Sequence, residues 1–583
     1  MKNLITKFLF MFILSLSLVP MLLAQTGVGK LSGKIVDAAT GEALIGANVI
    51  LVGTSTGAAT DIDGNYFILN ITPGTYEVKI SYVGYAPKTI ENVRIVAGIT
   101  YDLNIEMSTD FTLDEIVVVD RKFFEEKATN TVKVIDSDQI SRLPVRGVTN
   151  IASLQSGVVI QEGSGGQEGN ATINVRGGRG SEVLYIVDGV PQNNLYSRSS
   201  AASVSNVAIE QISFQVGGYE AKYGQAQSGI INVTTKSGQP TYTILTDIVS
   251  SSFTDDFGYN LYAGTISGPI IPGYANHTIF LSAERGWYKD ADPIATEISF
   301  PSINKTLKGY ENNPASVWRF SGKTNHRMGD FSVNLSGLYN DRTAKVIDYR
   351  YQKNNSRFNQ EFFERNVSLN ARLSQTLSNT TFWNLNLGYK MFDFKRYNPF
   401  LMDNLAMYGN AEYWEKNLGV YLAGDGLNPA RLGDDGLPVL NSLGNRIQMS
   451  VDDNGVFRPY GYTGGGLYQK RQDNAFFIDF DITSQIDNHL IEFGTGFSQH
   501  TVRGYGVFAS GYAQQPNTLS ETEKFEALQP FVYGYDLTGQ NTTTTDNPNQ
   551  FLRPYKPDIG YAYLQDRFEL KDIVLNVGLR LDY

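Results

Sequence analysis

The chain has 583 residues, a net charge of −11 and no cysteine. This length predicts several folded units, the acidic balance excludes a typical nucleic-acid binder, and the absence of thiols excludes disulfides and thiolate metal sites. Aromatic residues make up 12% of the chain, and beyond the N-terminus no apolar run approaches the roughly 20 residues of a membrane-spanning helix. An extracellular β protein and a membrane β-barrel are the classes that fit this composition.

Residues 1–24 have the pattern of a secretory signal peptide. Lys2 and Lys7 precede an apolar segment at 8–19, and Ala24 is a suitable residue before the cleavage point. The alternative is an uncleaved anchor. We therefore expect the protein to leave the cytoplasm.

Residues 27–107 contain short β-rich runs separated by Gly, Pro and Asp-Gly turns every eight to twelve residues. This spacing predicts a small β-sandwich. With the motifs GKIVD at 33–37 and PGTY at 73–76, this segment resembles the carboxypeptidase regulatory-like domain. The resemblance implies no peptidase activity here: His489 and Glu492 form a His-x-x-Glu pattern, but on a predicted strand they face opposite sides. We expect no catalytic site, metal site or cofactor.

The linker at 108–122 combines acidic residues with a run of β-branched residues. One interpretation is a further edge strand of the sandwich. The other is an extended segment that is free to add itself to the sheet of another protein through backbone hydrogen bonds.

Residues 123–238 contain four motifs in a fixed order. They are LQSGV at 154–158, NVRG at 174–177, YIVDGVP at 185–191 and GQAQSGIINVTT at 224–235. The stretch 171–191 on its own predicts a compact unit of two short strands around a Gly-rich turn. The four motifs together resemble the plug domain of TonB-dependent outer-membrane receptors, with Gly177, Asp188, Gly189 and Pro191 as the central plug-motif residues.

This resemblance also assigns roles to other residues. The candidate TonB box consists of Asp114, Glu115, Ile116, Val117, Val118 and Val119. Because a plug must sit inside a barrel, Arg176 and Arg179 are predicted to hold it by contacts with carboxylates of the wall. The alternative for these two arginines is anion binding.

From residue 240 to 583 the chain predicts strands of ten to fourteen residues. At 573–583, apolar and polar residues alternate, as a wall between lipid and a wet lumen requires. Short and long connections also alternate, which is typical of periplasmic turns and external loops. We count about eleven strands. The fold class is therefore mainly β: an N-terminal β-sandwich, a small α+β plug domain and the first half of a 22-stranded antiparallel transmembrane β-barrel, in a C-terminally truncated sequence.

The long connection at 395–472 is rich in aromatic and polar residues. Tyr397, Tyr413, Trp414 and Tyr460 are candidates to face a ligand, because such side chains suit sugars and peptides.

The resemblance implies active import across the bacterial outer membrane, with the N-terminal domain in the periplasm and TonB, energised by the inner-membrane complex, moving the plug. Expected partners are TonB, outer-membrane lipid, a small-molecule, glycan or peptide ligand and a SusD-like surface lipoprotein, as in SusC-like receptors of the Bacteroidetes type. The alternative is a surface receptor or adhesin that binds ligand and signals without transport.

Overall fold

The computed structural model describes residues 28–54, 56–96, 100–109, 115–118, 131–161, 172–198, 200, 203–254, 258–289, 298–300, 305–307, 314–345, 358–410, 413–418, 449–451, 457–459, 466–516, 518–542, 553–570 and 573–583. Strands predominate throughout, which confirms the prediction of a mainly β chain. Among these residues no helix combines the length and the apolar character needed to cross a membrane. The predicted signal peptide lies outside the described residues.

The N-terminal domain is built from two small sheets. Its strands are β1 (Gly29–Asp37), β2 (Asn48–Leu51), β3 (Gly57–Ala59), β4 (Asn65–Ile71), β5 (Gly74–Ser81), β6 (Lys88–Ile95), β7 (Thr100–Asp102), β8 (Ile105–Met107) and β9 (Glu115–Val118). One sheet has the order β4-β1-β7, with β8 also paired to β1, and the other has the order β3-β2-β5-β6-β9.

The alternation of side chains along these strands supplies the core of the sandwich. In β2, Val49 and Leu51 are buried while Ile50 between them is exposed. Val78 and Ile80 alternate in the same way in β5. Because successive side chains of a strand point to opposite faces, this pattern turns one face of each sheet towards the other.

The plug domain follows. Its elements are β10 (Val132–Asp136), α1 (Ser137–Arg142), α2 (Val148–Ser153), β11 (Val158–Gln161), β12 (Thr172–Val175), β13 (Val183–Val187), β14 (Val190–Pro191), β15 (Ile209–Gln215) and β16 (Gly229–Thr235), with single-turn 3-10 helices at Gly180–Glu182 and Asn206–Ala208. The main sheet has the order β10-β15-β16-β13-β14.

The stretch 171–191 forms its strands as expected, but the two do not pair with each other. β12 pairs with β11, whereas β13 lies parallel to β16 in the main sheet. Its residues Val183, Leu184, Ile186 and Val187 are all buried. A continuous apolar run is thus buried on both faces, as expected of a central strand with a parallel neighbour.

The barrel wall is an antiparallel meander in which, among the described residues, each long strand pairs with the next one along the chain. The long strands are β17 (Thr243–Ser250), β18 (Asn260–Pro269), β19 (His277–Tyr288), β22 (Ala315–Met328), β23 (Phe331–Lys345), β24 (Glu361–Ser378), β25 (Thr381–Tyr397), β28 (Leu467–Ile486), β29 (His489–Phe508), β31 (Asp558–Glu569) and β32 (Val574–Asp582). In the described sheet β17 and β32 are the two ends and are not paired with each other.

Shorter elements occupy the long connections of the wall. They are β20 (Ile298–Phe300), β21 (Lys305–Leu307), β26 (Met449–Val451), β27 (Phe457–Pro459), β30 (Phe531–Tyr533), α3 (Glu521–Ala527), 3-10 helices at Leu405–Met407 and Ala509–Gln514, and a π-helical turn at Trp414–Leu418.

The two faces of the wall differ in chemistry. In β25, Asn384, Asn386 and Lys390 point inward and are buried against the plug side, while Tyr389 on the other face is exposed. The outward face of neighbouring strands carries exposed apolar side chains such as Leu369. A polar lumen and an apolar exterior follow from the two-residue period of the strands.

Candidate functional site: the plug against the barrel wall

Asp188 and Gly189 form the tight turn between β13 and β14. Their φ values are 47° and 89°, both left-handed, and Val187 pairs directly with Val190. An Asp-Gly pair adopts such a two-residue turn readily, because glycine has no Cβ and aspartate tolerates this region. The turn fixes the Asp188 carboxylate at the surface of the plug that faces the wall.

The Asp188 carboxylate is an anchor between plug and wall. Lys323 of β22 donates from Nζ to Oδ1 at 2.7 Å, and the backbone N–H of Thr235 donates to the same oxygen at 3.0 Å. The Thr235 hydroxyl donates to Oδ2 at 2.5 Å. Asn370 of the wall donates to the backbone carbonyl of Asp188 at 3.1 Å. Both charged side chains are mostly buried, so the pair depends on this complete set of hydrogen bonds.

A second anchor is centred on Glu284 of β19. Its carboxylate accepts hydrogen bonds from Arg319 of the wall and from the hydroxyl of Ser205 in the plug. Arg319 in turn donates from Nε to the hydroxyl of Ser203 at 2.6 Å. Asn340 accepts the backbone N–H of Ser203 at 3.1 Å. The charged wall residues Glu284 and Arg319 thus pair with each other and hydrogen-bond to hydroxyl groups of the plug, so this contact involves no charged plug residue.

A third anchor uses the fully buried Asp473 of β28. Its Oδ2 accepts the backbone N–H of Leu195 from the plug at 2.7 Å, and its Oδ1 lies 2.9 Å from Nδ1 of His500. Lys390 donates to the backbone carbonyl of Asn193 in the same plug segment. The sequence pattern did not single out these wall residues, because they are ordinary inward-facing polar positions of β-strands.

The two arginines predicted to hold the plug lie elsewhere. Arg176 and Arg179 are both exposed, and among the described residues neither forms an ion pair with the wall. Arg176 is close to Gly157 and Gly217, which belong to the plug itself. The backbone N–H of Arg179 donates to the Glu182 carboxylate at 3.0 Å and so closes a short turn. The plug arginine that pairs with a wall carboxylate is Arg146, which lies 2.8 Å from Asp247 of β17. Asp188 also reaches the wall, with the opposite sign.

Two of the four residues predicted to face a ligand, Trp414 and Tyr397, are buried instead. Trp414 is 2% exposed and Tyr397 is 8% exposed. Both belong to an apolar cluster formed by loop residues and by the adjoining ends of wall strands, in which the Trp414 indole donates to the carbonyl of Met407 at 3.0 Å. Tyr413 packs against this cluster and is partly buried. Tyr460 lies outside the described residues.

Four residues of the candidate TonB box form the edge strand β9. It lies parallel to β6, with Glu115 opposite Lys88 and Val118 opposite Glu91. Asp114 and Val119 lie outside the described residues. In this structure the segment is therefore a further edge strand of the N-terminal sandwich, and not a free extended segment.

In the part of the chain that the structure describes, no three or more His, Asp or Glu side chains lie close enough together to hold a metal ion.

Two family profiles match the chain. Residues 31–118 match the "CarboxypepD_reg-like domain", and residues 125–230 match the "TonB-dependent Receptor Plug Domain". The first match ends at Val118, so it includes β9.

Similar proteins include two receptors from other bacteria. The TonB-dependent receptor P39 of Formosa agariphila is 31% identical over 216 residues, and the TonB-dependent receptor SusC of Bacteroides thetaiotaomicron is 31% identical over 217 residues. Each match covers 35% of this chain, but only 20% of the first relative and 21% of the second.

A solved structure similar to the chain is that of the siderophore receptor PirA from Acinetobacter baumannii. It superposes with a TM-score of 0.48 and 16% identity, over 79% of this chain and 57% of that one.

Proposed function

Because the chain belongs to the TonB-dependent receptors and carries a carboxypeptidase regulatory-like domain before its plug, we propose that it imports a ligand actively across the outer membrane. The protein resides in the bacterial outer membrane with its N-terminal domain in the periplasm. Ligand binds from outside, TonB pulls on residues 114–119, and the plug rearranges to open a path. The energy comes from the inner-membrane proton gradient.

The observation that carries this proposal is the chemistry of the contact between plug and wall. The three anchors at Asp188, Glu284 and Asp473 consist of ion pairs and hydrogen bonds. Polar groups of this kind can exchange their partners for water, whereas separating two apolar surfaces would expose area at a cost of about 25 cal/mol per Å². A plug held at these anchors can be moved by a pull, which must also separate apolar contacts such as that of Val190 with Ala475 and Phe477.

The ligand and the partners belong to the same proposal. The ligand is a small molecule, glycan or peptide, and the similarity to SusC supports a SusD-like lipoprotein as a surface partner. Co-purification of the full-length receptor from outer membranes, followed by identification of a bound lipoprotein, tests the second point.

Deletion of residues 114–119 tests the import. Labelled vitamin B12, a ferric siderophore and a maltooligosaccharide serve as probes in cells with and without TonB. We expect at least one probe to enter only with TonB, and the deletion to abolish that uptake while surface binding persists. Deletion of residues 121–126 is the control of equal length. If uptake survives the loss of 114–119, the protein is not a TonB-driven importer, and binding without any uptake would favour the receptor or adhesin.

A further inference from the structure

The N-terminal domain is docked on the barrel wall near two of its short turns. Lys30 of β1 donates from Nζ to Oε1 of Gln485 at 2.5 Å, and both residues are buried. Arg327 of β22 donates to the hydroxyl of Thr56. Gln485 precedes the turn between β28 and β29, and Arg327 precedes the turn between β22 and β23. The domain thus lies at the end of the barrel where the connections are short.

The same domain also touches the plug. Arg94 of β6 lies 3.7 Å from Asp136, the residue that caps helix α1. Val96 and Val134 are both buried and form a small apolar contact beside this pair. The N-terminal domain therefore bridges the plug and the wall.

Two polar cavities lie where the three parts meet. One, of about 50 Å³, is bordered by Asn70 of the N-terminal domain, Lys222 of the plug and Glu492 of the wall. The other, of about 40 Å³, is bordered by Thr72 and Pro73, and its further lining includes Asp188, Ser237, Lys323, Ser336 and Arg372. Cavities of this size admit water but no larger solute.

Both cavities are bordered by the N-terminal domain where β4 ends and β5 begins. Asn70, near the end of β4, has a φ of 58°. Thr72 and Pro73 connect β4 to β5, which begins at Gly74. This connection faces the Asp188–Lys323 anchor, where the plug meets the wall. A path that opened at this anchor would therefore pass Thr72 and Pro73 of the N-terminal domain.

We propose that the N-terminal domain is a second gate, which closes the space between plug and wall through residues 70–73 and must undock before a solute passes. This function of the domain goes beyond import itself, and it rests on the proposed function only in taking TonB as the source of force.

The sheet of the N-terminal domain links the candidate TonB box to this gate. The box strand β9 pairs with β6, and β6 pairs with β5, which starts immediately after Pro73. β6 also carries Arg94, the partner of the plug residue Asp136. A pull on β9 thus acts on the sheet that holds the gate closed, and on its contact with the plug.

These 583 residues contain no cysteine, so the labelling of a thiol introduced among them is read against the unsubstituted receptor. In the full-length receptor, Ser237→Cys places a thiol in the cavity behind Thr72 and Pro73. The substitution is nearly isosteric, and among the described residues the Ser237 hydroxyl oxygen is buried and has no hydrogen-bond partner to lose. A charged methanethiosulfonate reagent that enters the periplasm reports when the cavity opens. Val83→Cys, at a position 93% exposed on the same domain, calibrates the reagent.

The docking contacts are weakened by Lys30→Met together with Arg327→Met, which keep the apolar stems of both side chains. In cells without TonB we expect the Ser237→Cys thiol to react at least tenfold faster in this background than with docking intact. Arg94→Gln, which acts at the plug contact, is a second variant with the same expectation. Equal rates in folded, membrane-inserted protein for both variants would overturn the gate.

A comparison of cells with and without TonB separates the two proposals. With docking intact, we expect TonB to accelerate labelling of Ser237→Cys and leave Val83→Cys unchanged. If weakened docking accelerates labelling but TonB has no effect, the gate stands and the TonB-driven import loses its support.

Discussion

Lys323 of the barrel wall and Asp188 of the plug form an ion pair of 2.7 Å between residues that lie 135 positions apart in the sequence. Lys323 also donates to the backbone carbonyl of Thr235 at 2.9 Å, so one ammonium group joins β22 to two elements of the plug. The pair sits beside the cavity that residues 72 and 73 close. It therefore holds the plug at the place where a path would open.

Removing one partner of this pair should loosen the plug. Lys323→Ala leaves the Asp188 carboxylate mostly buried and without its cation, which typically costs about 3–5 kcal/mol. We expect cells with this variant to become sensitive to vancomycin, which is too bulky for ordinary porins. Asp188→Asn should have a smaller effect, because its side chain can still accept hydrogen bonds.

Arg176→Ala is the matched control for this experiment. Arg176 is exposed and lies beside Gly157 and Gly217 of the plug, so its removal should leave vancomycin sensitivity unchanged at equal protein levels. Increased sensitivity with Arg176→Ala, and none with Lys323→Ala, would contradict the assignment of the anchor.

Trp414 should be required for the fold of the external loops. Its ring lies 5.4 Å from that of Phe358 in the loop cluster. Trp414→Ala removes a buried aromatic side chain, a loss of about 3–5 kcal/mol. We expect faster cleavage of the loops when intact cells are treated with trypsin. Tyr413→Ala should have a weaker effect, and equal cleavage of the two variants would argue against Trp414 as the centre of this cluster.

Helix α1 should depend on Asp136. The Asp136 side chain accepts the backbone N–H of Gln139 at 2.9 Å, and the Gln139 side chain accepts the backbone N–H of Asp136 at 3.2 Å. Asp136→Ala removes the cap, at about 1 kcal/mol, so amide hydrogens of Ser137–Arg142 should exchange roughly fivefold faster. Asp136→Asn keeps the cap and should change exchange in α1 little, while it removes the charge opposite Arg94. Mass-spectrometric hydrogen exchange on the purified receptor measures both.

Glu210 should make the docking of the N-terminal domain depend on pH. Burial raises the pKa of this carboxyl above its ordinary 4.5, with Lys236 and Lys323 opposing the shift and Asp136 adding to it. Glu210 lies beside Gly74 and Tyr76 of the N-terminal domain. The docked state therefore favours protonated Glu210, so docking is strongest below about pH 4.5 and weakens as the pH rises through the elevated pKa.

The labelling rate of Ser237→Cys, divided by that of Val83→Cys at the same pH, measures this effect. We expect the ratio to rise with pH in the otherwise native chain and to stay constant with Glu210→Gln. A ratio that rises equally in both would assign the pH dependence to another group.

The sequence determined the strands and the identity of the domains. Alternation in segments such as Phe331–Lys345 fixes which side chains face lipid and which face the lumen, because successive residues of a strand must point to opposite faces. Each of the four plug motifs is a short contiguous sequence that can be recognised without the fold. The Asp188-Gly189 turn follows from the backbone freedom of those two residues.

The tertiary structure alone decided which residues meet. Many inward positions of the wall are polar, among them Asn384 and Lys390, so nothing in the sequence distinguishes Lys323 as the partner of Asp188 until the plug is inserted. Aromatic residues in a polar loop suggest exposure, yet Trp414 is buried because its loop packs on Phe358 and on aromatic residues at the ends of the wall strands. The β-branched run at Glu115–Val118 is compatible with a free segment and with an edge strand, and only the open edge of β6 decides between them.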